Sequence, residues 1–250
     1  MARTASKVAQ VTAAFWVMKI CATTLGETAG DLLSMTLNVG YALSSVILIG
    51  GFLAALSAQL ASKAFKPALY WTVILTTSTA GTTMSDFMDR TLGLGYAQGS
   101  TILAVALVLV LLVWRVSEGT LSVDRIATTR AEVFYWAAIL VSNTLGTALG
   151  DFLADDSGLG FLGGAALIAG LLGVILLATW FTRLDRVALF WMAFVLTRPF
   201  GATFGDLLTK PGEKGGLDFG TVGSSLVLAT LLIGLLVYGN AKDRRASDPH

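Results

Sequence analysis

Four aspartates stand at the same place in a phrase that the sequence repeats. Each copy begins with a tryptophan, has a glycine ten residues later, and ends on an aspartate fifteen residues after the tryptophan. Carboxylates that meet in one site bind hard cations through oxygen, or share protons. We therefore predict a cation or metal site, with capping or solvation of helix ends as the alternative. The copies are WVMKICATTLGETAGD (16–31), WTVILTTSTAGTTMSD (71–86), WAAILVSNTLGTALGD (136–151) and WMAFVLTRPFGATFGD (191–206), and they end on Asp31, Asp86, Asp151 and Asp206.

A polar stripe accompanies the aspartates, because residues 3, 7, 11 and 15 after each tryptophan share one helix face. Lipid cannot satisfy polar side chains, so the stripe should face the bundle interior or a hydrated cavity. We predict that Glu27 joins the cation site and that Arg198 pairs with Glu27 or with an aspartate. Lys19 is expected to snorkel towards the nearer membrane surface. The residues predicted to line a pathway are Thr23, Ser78, Thr82, Asn143, Thr147 and Arg198.

Small residues four apart precede each aspartate. This spacing lets membrane helices approach closely, so we predict that these residues pack the four motif helices together. They are Gly26 and Gly30, Gly81 and Ser85, Gly146 and Gly150, and Gly201 and Gly205.

The scarcity of histidine and cysteine limits which metal ions the protein could bind. The single histidine is the last residue, and the single cysteine, Cys21, lies within the first apolar run. Copper and zinc are therefore disfavoured, whereas Mg²⁺, Ca²⁺, Mn²⁺, Na⁺, K⁺ or protons suit oxygen ligands. The sequence contains no P-loop, no dinucleotide-binding glycine motif and no His/Ser/Cys constellation. We predict no organic cofactor, no catalytic residues and no enzymatic activity.

The elements that position these residues are transmembrane helices. The chain has 250 residues, 55% of them hydrophobic and only 13% charged, whereas a soluble domain has about 25% charged residues. Recurring apolar runs of about 20 residues predict an all-α polytopic membrane protein of eight transmembrane helices in one membrane domain, 1–250. Pro199 predicts a kink or break. Motif helices are predicted at 9–31, 67–88, 130–152 and 187–208, partner helices at 38–62, 95–116, 158–181 and 218–239, repeats at about 9–62, 67–116, 130–181 and 187–239, and a polar cytoplasmic tail at 240–250.

Basic residues predict the orientation. Twelve lie at the termini or between repeats, namely Arg3, Lys7, Lys63, Lys66, Arg115, Arg125, Arg130, Arg183, Arg186, Lys242, Arg244 and Arg245, against Arg90, Lys210 and Lys214 inside repeats. The positive-inside rule then predicts that both termini are cytoplasmic, in a bacterial inner membrane. Two spans per repeat make the four repeats parallel and pseudo-symmetric. The repeat tryptophans should lie near the cytoplasmic interface, in an aromatic belt or packed between helices.

The chain resembles a bacterial family of integral membrane proteins built from four tandem two-helix repeats. Each repeat of that family has a characteristic tryptophan, matched here by Trp16, Trp71, Trp136 and Trp191 and by the Gly-Asp or Ser-Asp pairs that follow them. The resemblance extends over essentially the whole chain. It implies the architecture, and it brings no reaction or ligand.

The favoured function is a transporter or channel for a small cation, which would be a hard divalent metal, an alkali ion or a proton-coupled ion. Two alternatives stay open: an exporter of organic cations or small metabolites, and a non-transporting membrane scaffold. The expected partners are the lipid bilayer and a small cation, without nucleic acid.

Overall fold

The described residues form eight α-helices, as predicted. The computed structural model describes residues 7–126 and 128–247 of the chain, and this part contains no strand. The helices are α1 (Ala13–Asp31), α2 (Tyr41–Ala61), α3 (Pro67–Asp86), α4 (Tyr96–Glu118), α5 (Thr129–Asp151), α6 (Gly160–Phe181), α7 (Arg186–Thr209) and α8 (Thr221–Ser247). Arg3, residues 248–250 of the predicted tail, and the side chains of Arg125, Lys242, Arg244 and Arg245 lie outside the described residues.

Six of these helices, α2 and α4 to α8, are long and apolar enough to cross a membrane. The motif helices α1 and α3 do not meet that standard, because charged residues and threonines dilute their apolar character. The protein is an all-α polytopic membrane protein, and its polar helices belong to the interior. The apolar windows of α5 and α7 are 67% and 50% buried, whereas those of the four partner helices are between 17% and 28% buried.

The motif helices form a closed inner ring. In this ring α1 packs on α3, α3 on α5, α5 on α7, and α7 on α1. Each partner helix then covers the motif helix of the next repeat: α2 packs on α3, α4 on α5, α6 on α7, and α8 returns to α1. The four repeats therefore interlock in sequence, and the last repeat closes on the first.

Small residues make the ring contacts possible. The glycine ten residues after each tryptophan lies against the residue seven after the tryptophan of the next repeat. This pattern pairs Gly26 with Ser78, Gly81 with Asn143, Gly146 with Arg198, and Gly201 with Thr23. Four residues further on, Gly30 lies against Thr82, Gly150 against Ala202, and Gly205 against Glu27, while Ser85 takes the place of the glycine in the second repeat. Close backbone approach of this kind brings the attraction that drives helix association in lipid.

The motif helices of the first three repeats continue beyond their aspartates. After Asp31, Asp86 and Asp151 the chain makes one π-helical turn, Leu32–Thr36, Phe87–Thr91 and Phe152–Asp156 respectively. The predicted helix ends at 31, 88 and 152 are therefore too early, and the aspartates lie inside continuous helical segments. The fourth motif helix instead ends at Thr209, two residues before a proline, Pro211.

Other boundaries also differ from the predictions. α1 begins at Ala13 instead of residue 9, because the Thr12 side chain caps the helix by accepting a hydrogen bond from the Phe15 amide at 3.2 Å. α8 continues to Ser247, well into the predicted tail. Of the kink or break predicted at Pro199, the break does not occur: α7 is one helix on both sides of the proline, held between α1 and α5.

The ring contacts predict a stability difference between two kinds of glycine. A Cβ at Gly81 would lie 2.9 Å from the backbone of α5, so Gly81→Ala should force the two helices apart. We expect it to lower the free energy of unfolding by about 1–3 kcal/mol, measured by thermal unfolding in detergent. Gly50→Ala and Gly170→Ala, in the partner helices where a Cβ meets nothing within 4 Å, are the controls. Equal effects at all three positions would contradict the ring packing.

The helix order predicts which loops share a membrane side. Leu92→Cys and Leu159→Cys lie in loops that follow aspartates, whereas Lys63→Cys and Leu184→Cys lie between repeats, and all four sites are exposed. One helix separates each loop that follows an aspartate from the next loop between repeats. An impermeant thiol reagent should therefore label the two pairs of sites from opposite sides of the membrane. The native Cys21 is buried and should stay unlabelled. Labelling of both pairs from the same side would exclude the topology.

Candidate cation site

Two of the four aspartates share an arginine. Arg90, in the π-helical turn after α3, places Nε 2.9 Å from Asp86 Oδ1 and donates from Nη2 to Asp151 Oδ2 at 3.1 Å. Both carboxylates are buried, at 2% and 3% exposure. The guanidinium lies over the rings of Tyr41 and Tyr96, with centroids at 5.9 and 5.6 Å. The base of the second repeat therefore bridges α3 to α5.

The other two aspartates share a lysine in the same manner. Lys210 Nζ lies 2.6 Å from Asp31 Oδ2 and 3.1 Å from Asp206 Oδ1, so the base of the fourth repeat bridges α7 to α1. Burial lowers the pKa of Lys210, but the Asp206 and Asp31 carboxylates outweigh burial and raise the pKa above the ordinary lysine value. Lys210 is therefore a stable positive charge between two buried acids.

Contacts of Arg90 and Lys210 with the aspartates were not predicted from the sequence, although the spacing of these residues indicates such contacts. Each stands four residues after the aspartate of its own repeat, a spacing at which helical side chains meet. The first and third repeats have Met35 and Asp155 at that position. The four aspartates consequently lie as two base-bridged pairs, and this alternation of the repeats was readable from the sequence.

Glu27 pairs with Arg198, which is the first of the two pairings predicted for this arginine. Arg198 is fully buried, and its Nη1 donates to Glu27 Oε2 at 2.9 Å. Its Nη2 donates to Thr82 Oγ1 at 2.5 Å and to Thr147 Oγ1 at 2.8 Å. The same Glu27 oxygen accepts hydrogen bonds from both threonines, at 3.2 and 3.1 Å. One polar cluster therefore joins all four motif helices.

The other residues predicted to line a pathway belong to the same layers of the bundle. The Arg198 guanidinium also donates to the backbone carbonyls of Thr23, at 3.4 Å, and Ser78, at 3.2 Å. Asn143 is buried and donates to Thr77 Oγ1 at 2.9 Å. The arginine side chain thus occupies the space between these polar groups and blocks the bundle axis in this conformation.

Three carboxylates come close enough to hold one metal ion. Glu27, Asp31 and Asp206 are buried, and one oxygen from each lies within 4.8 Å of the others. Gly205 contributes to this geometry, because a Cβ there would lie 3.0 Å from Glu27 Cβ and hold α7 away from α1. With Lys210 and Arg198 as neighbouring bases, three negative and two positive charges leave a formal charge of −1. Asp86 and Asp151 stand outside this group, bridged by Arg90.

Lys19 lies elsewhere than expected, because it does not snorkel. Its side chain is completely buried, and Nζ stands 4.2 Å from the centroid of the Phe194 ring. The stripe that carries Lys19 faces the interior over its whole length, so the side chain has no route to the membrane surface.

The aromatic belt prediction is also wrong for three of the repeat tryptophans. Trp71, Trp136 and Trp191 are at most 5% exposed and belong to an interior aromatic cluster. Trp191 Nε1 donates to the Leu121 carbonyl at 3.0 Å, which ties α7 to the segment after α4. These rings pack helices, which was the alternative interpretation.

The fold and the repeated buried acids define a polytopic membrane protein of four interlocked helix pairs. The segments 14–65, 69–120, 134–185 and 189–244 match the family model described as a Repeat of Unknown Function (DUF347). The chain therefore belongs to the DUF347 repeat family, in agreement with the predicted four-repeat architecture. Neither a curated protein nor a solved structure matches the sequence.

The lysine bridge predicts a specific loss of stability. Lys210→Met would leave Asp31 and Asp206 buried together without a positive partner, so we expect the free energy of unfolding to fall on the order of 1–3 kcal/mol. Lys210→Arg should retain most of that stability. Lys214→Met, in the same loop but exposed, is the control and should change little. Thermal unfolding of the three variants in detergent measures the difference. If Lys210→Met leaves the free energy of unfolding unchanged, the bridge is not structural.

Proposed function

We propose that this protein moves a small cation across the membrane as a transporter or channel and binds it at Glu27, Asp31 and Asp206. One observation carries the proposal: three buried carboxylates on two adjacent helices each bring one oxygen to within 4.8 Å of the others. Buried acids within membrane helices are costly, and they commonly mark ion pathways. The proposal assigns the protein no catalysis and no organic cofactor.

The chemistry of the cluster favours a hard cation. Its ligands are carboxylate oxygens, and the hydroxyls of Thr82 and Thr147 stand beside Glu27. Such donors suit Mg²⁺, Ca²⁺, Mn²⁺ or an alkali ion. Lys210 and Arg198 now neutralise the carboxylates, so an arriving ion would compete with two tethered cations. This competition would make binding reversible, as transport requires.

The filled axis favours a carrier over an open pore. Arg198 occupies the polar layer, and Ile74, Ile139 and Phe194, all fully buried, occupy the layer beneath it. Passage of an ion therefore requires helices or side chains to rearrange, as in alternating access. Proton or sodium coupling would drive a carrier of this kind. The proposed setting is the bacterial inner membrane, with both termini cytoplasmic and the aspartates in the opposite half of the bilayer.

The scaffold function is the second candidate, and the ion pairs are the observation that favours it. Asp31, Asp86, Asp151 and Asp206 all have basic partners in the structure. Pairs of this kind could serve only to hold helices together. An exporter of organic cations is less favoured, because Phe194 is the one aromatic residue on the stripe and Lys19 already covers its ring.

Ion flux into liposomes tests the proposal. We expect Asp31→Asn, Asp206→Asn and Glu27→Gln each to reduce flux and binding at least about 10-fold, since each removes one of three charged ligands. Asp156→Asn, an exposed acid at the same end of the bundle, is the control and should transport like the parent. Mg²⁺, Ca²⁺, Mn²⁺, Na⁺ and K⁺ are tested in parallel, and thermal unfolding checks the fold of each variant.

If the protein is only a scaffold, the opposite result is expected for the same Asn and Gln variants. If the parent protein moves and binds none of these ions, or if folded Asn and Gln variants transport like the parent, the carboxylates are structural and the cation proposal is rejected.

A further inference from the structure

The Lys19 amine is a buried polar group that the proposed cation site does not use. Nζ has no hydrogen-bond partner among the described residues, and the side chain is 0% exposed. Its contact is the face of Phe194, at 4.2 Å. The equivalent positions of the second and third repeats are Ile74 and Ile139, so Lys19 stands in an otherwise apolar layer.

The charged groups around Lys19 come from few elements. From α7 the neighbouring charge is Arg198, one helical turn beyond Phe194, and from α1 itself it is Glu27, which is already paired with Arg198. On the other side, α3 and α5 contribute Tyr70 and Tyr135, whose hydroxyls bond to each other at 2.6 Å.

The fourth neighbour, α8, meets α1 through Leu228, whose carbonyl accepts a hydrogen bond from the Cys21 thiol. The described part of α8 brings no acid or base to this layer. Among the described residues, therefore, no carboxylate near Lys19 is free to neutralise its ammonium.

An ammonium in this position would be poorly stabilised. A desolvated cation–π contact stabilises an ammonium by less than the effective cost of burying an unpaired ion. The Arg198 guanidinium adds like-charge repulsion, which is strong where water is excluded. The uncharged amine avoids both costs, and burying a neutral amine in an apolar layer is far cheaper than burying an ion.

We infer that Lys19 is a proton-binding site: its amine is uncharged while Arg198 is paired with Glu27, and it takes up a proton when Arg198 leaves the bundle axis. In this step a hydronium ion gives one proton to the nitrogen lone pair, which leaves an ammonium and a water molecule. Opening of the axis and proton uptake then favour one another, since linked equilibria are reciprocal. The use of this proton to drive a cation rests on the proposed function, but the proton site itself does not.

The protonation state of Lys19 can be measured directly. The protein in lipid nanodiscs, labelled with ¹⁵N-lysine, should show one Nζ resonance with the chemical shift of an amine at pH 7. That resonance should be missing from Lys19→Met. If Lys19→Met is not recovered folded, Lys19→Gln serves for the assignment. An ammonium shift for Lys19 between pH 6 and 8 would overturn the inference.

Variants of the neighbouring pair test the coupling. Arg198→Met removes the repelling charge and releases Glu27, so Lys19 should change from amine to ammonium at pH 7. Arg198→Lys keeps a positive charge on the axis and should leave the amine unchanged. Glu27→Gln leaves Arg198 uncompensated, so Lys19 should remain an amine at pH 6 and at pH 7, as in the parent. If the Lys19 resonance is the same in Arg198→Met and the parent, the coupling is refuted.

Transport measurements separate this inference from the proposed function. In liposomes, Lys19→Met should lose the proton movement that accompanies cation flux, whereas Ile74→Met, in the same layer, should keep it. Equal proton movement in the two variants would overturn the coupling role. Absence of any cation flux in the parent would reject the cation proposal, while the nitrogen resonance would still decide whether Lys19 binds a proton.

Discussion

One buried guanidinium connects the inner ring. Arg198 extends from α7 and makes hydrogen bonds to groups on α1, α3 and α5, so a single side chain joins all four motif helices. Within a membrane these partners have no water to replace them, and the network must be satisfied internally. Gly146 is part of the same arrangement, because any Cβ there would collide with the arginine stem. The packing of α5 on α7 and the polarity of the axis therefore depend on each other.

Residues that all four repeats share and residues that only one or two repeats carry have different effects on the structure. The four tryptophan-to-aspartate phrases give a ring with four similar interfaces, whereas the bases appear only in alternate repeats. Arg90 and Lys210 consequently convert a four-fold arrangement of acids into two bridged pairs on opposite sides of the ring. Glu27 and Arg198 reduce the symmetry further, because each occurs in one repeat. The cluster with a formal charge of −1 lies where these departures meet, between the first and fourth repeats.

Periodicity in the sequence was sufficient to predict the helices, the repeats and the face that each motif helix turns inwards. The Arg198–Glu27 pair also followed, since both residues lie on that face. Periodicity does not tell which neighbouring helix a long side chain reaches, so the bridges from Arg90 to Asp151 and from Lys210 to Asp31 were missed. The prediction that Lys19 snorkels was wrong because the environment of this side chain depends on Phe194, which comes from another repeat. The π-helical turns after the aspartates have no comparably simple sequence signal.

Each motif helix is covered by a partner helix from a different repeat, and this affects how the chain is synthesised and inserted. α1 is synthesised before the other seven helices, carries Lys19, Glu27 and Asp31, and is too polar to qualify as a span by composition. Its neighbours in the finished ring are α3, α7 and α8, and two of these are the last helices made. The polar face of α1 therefore lacks two of its three packing partners until the fourth repeat has been synthesised. A chain truncated before α7 lacks Arg198 to neutralise Glu27.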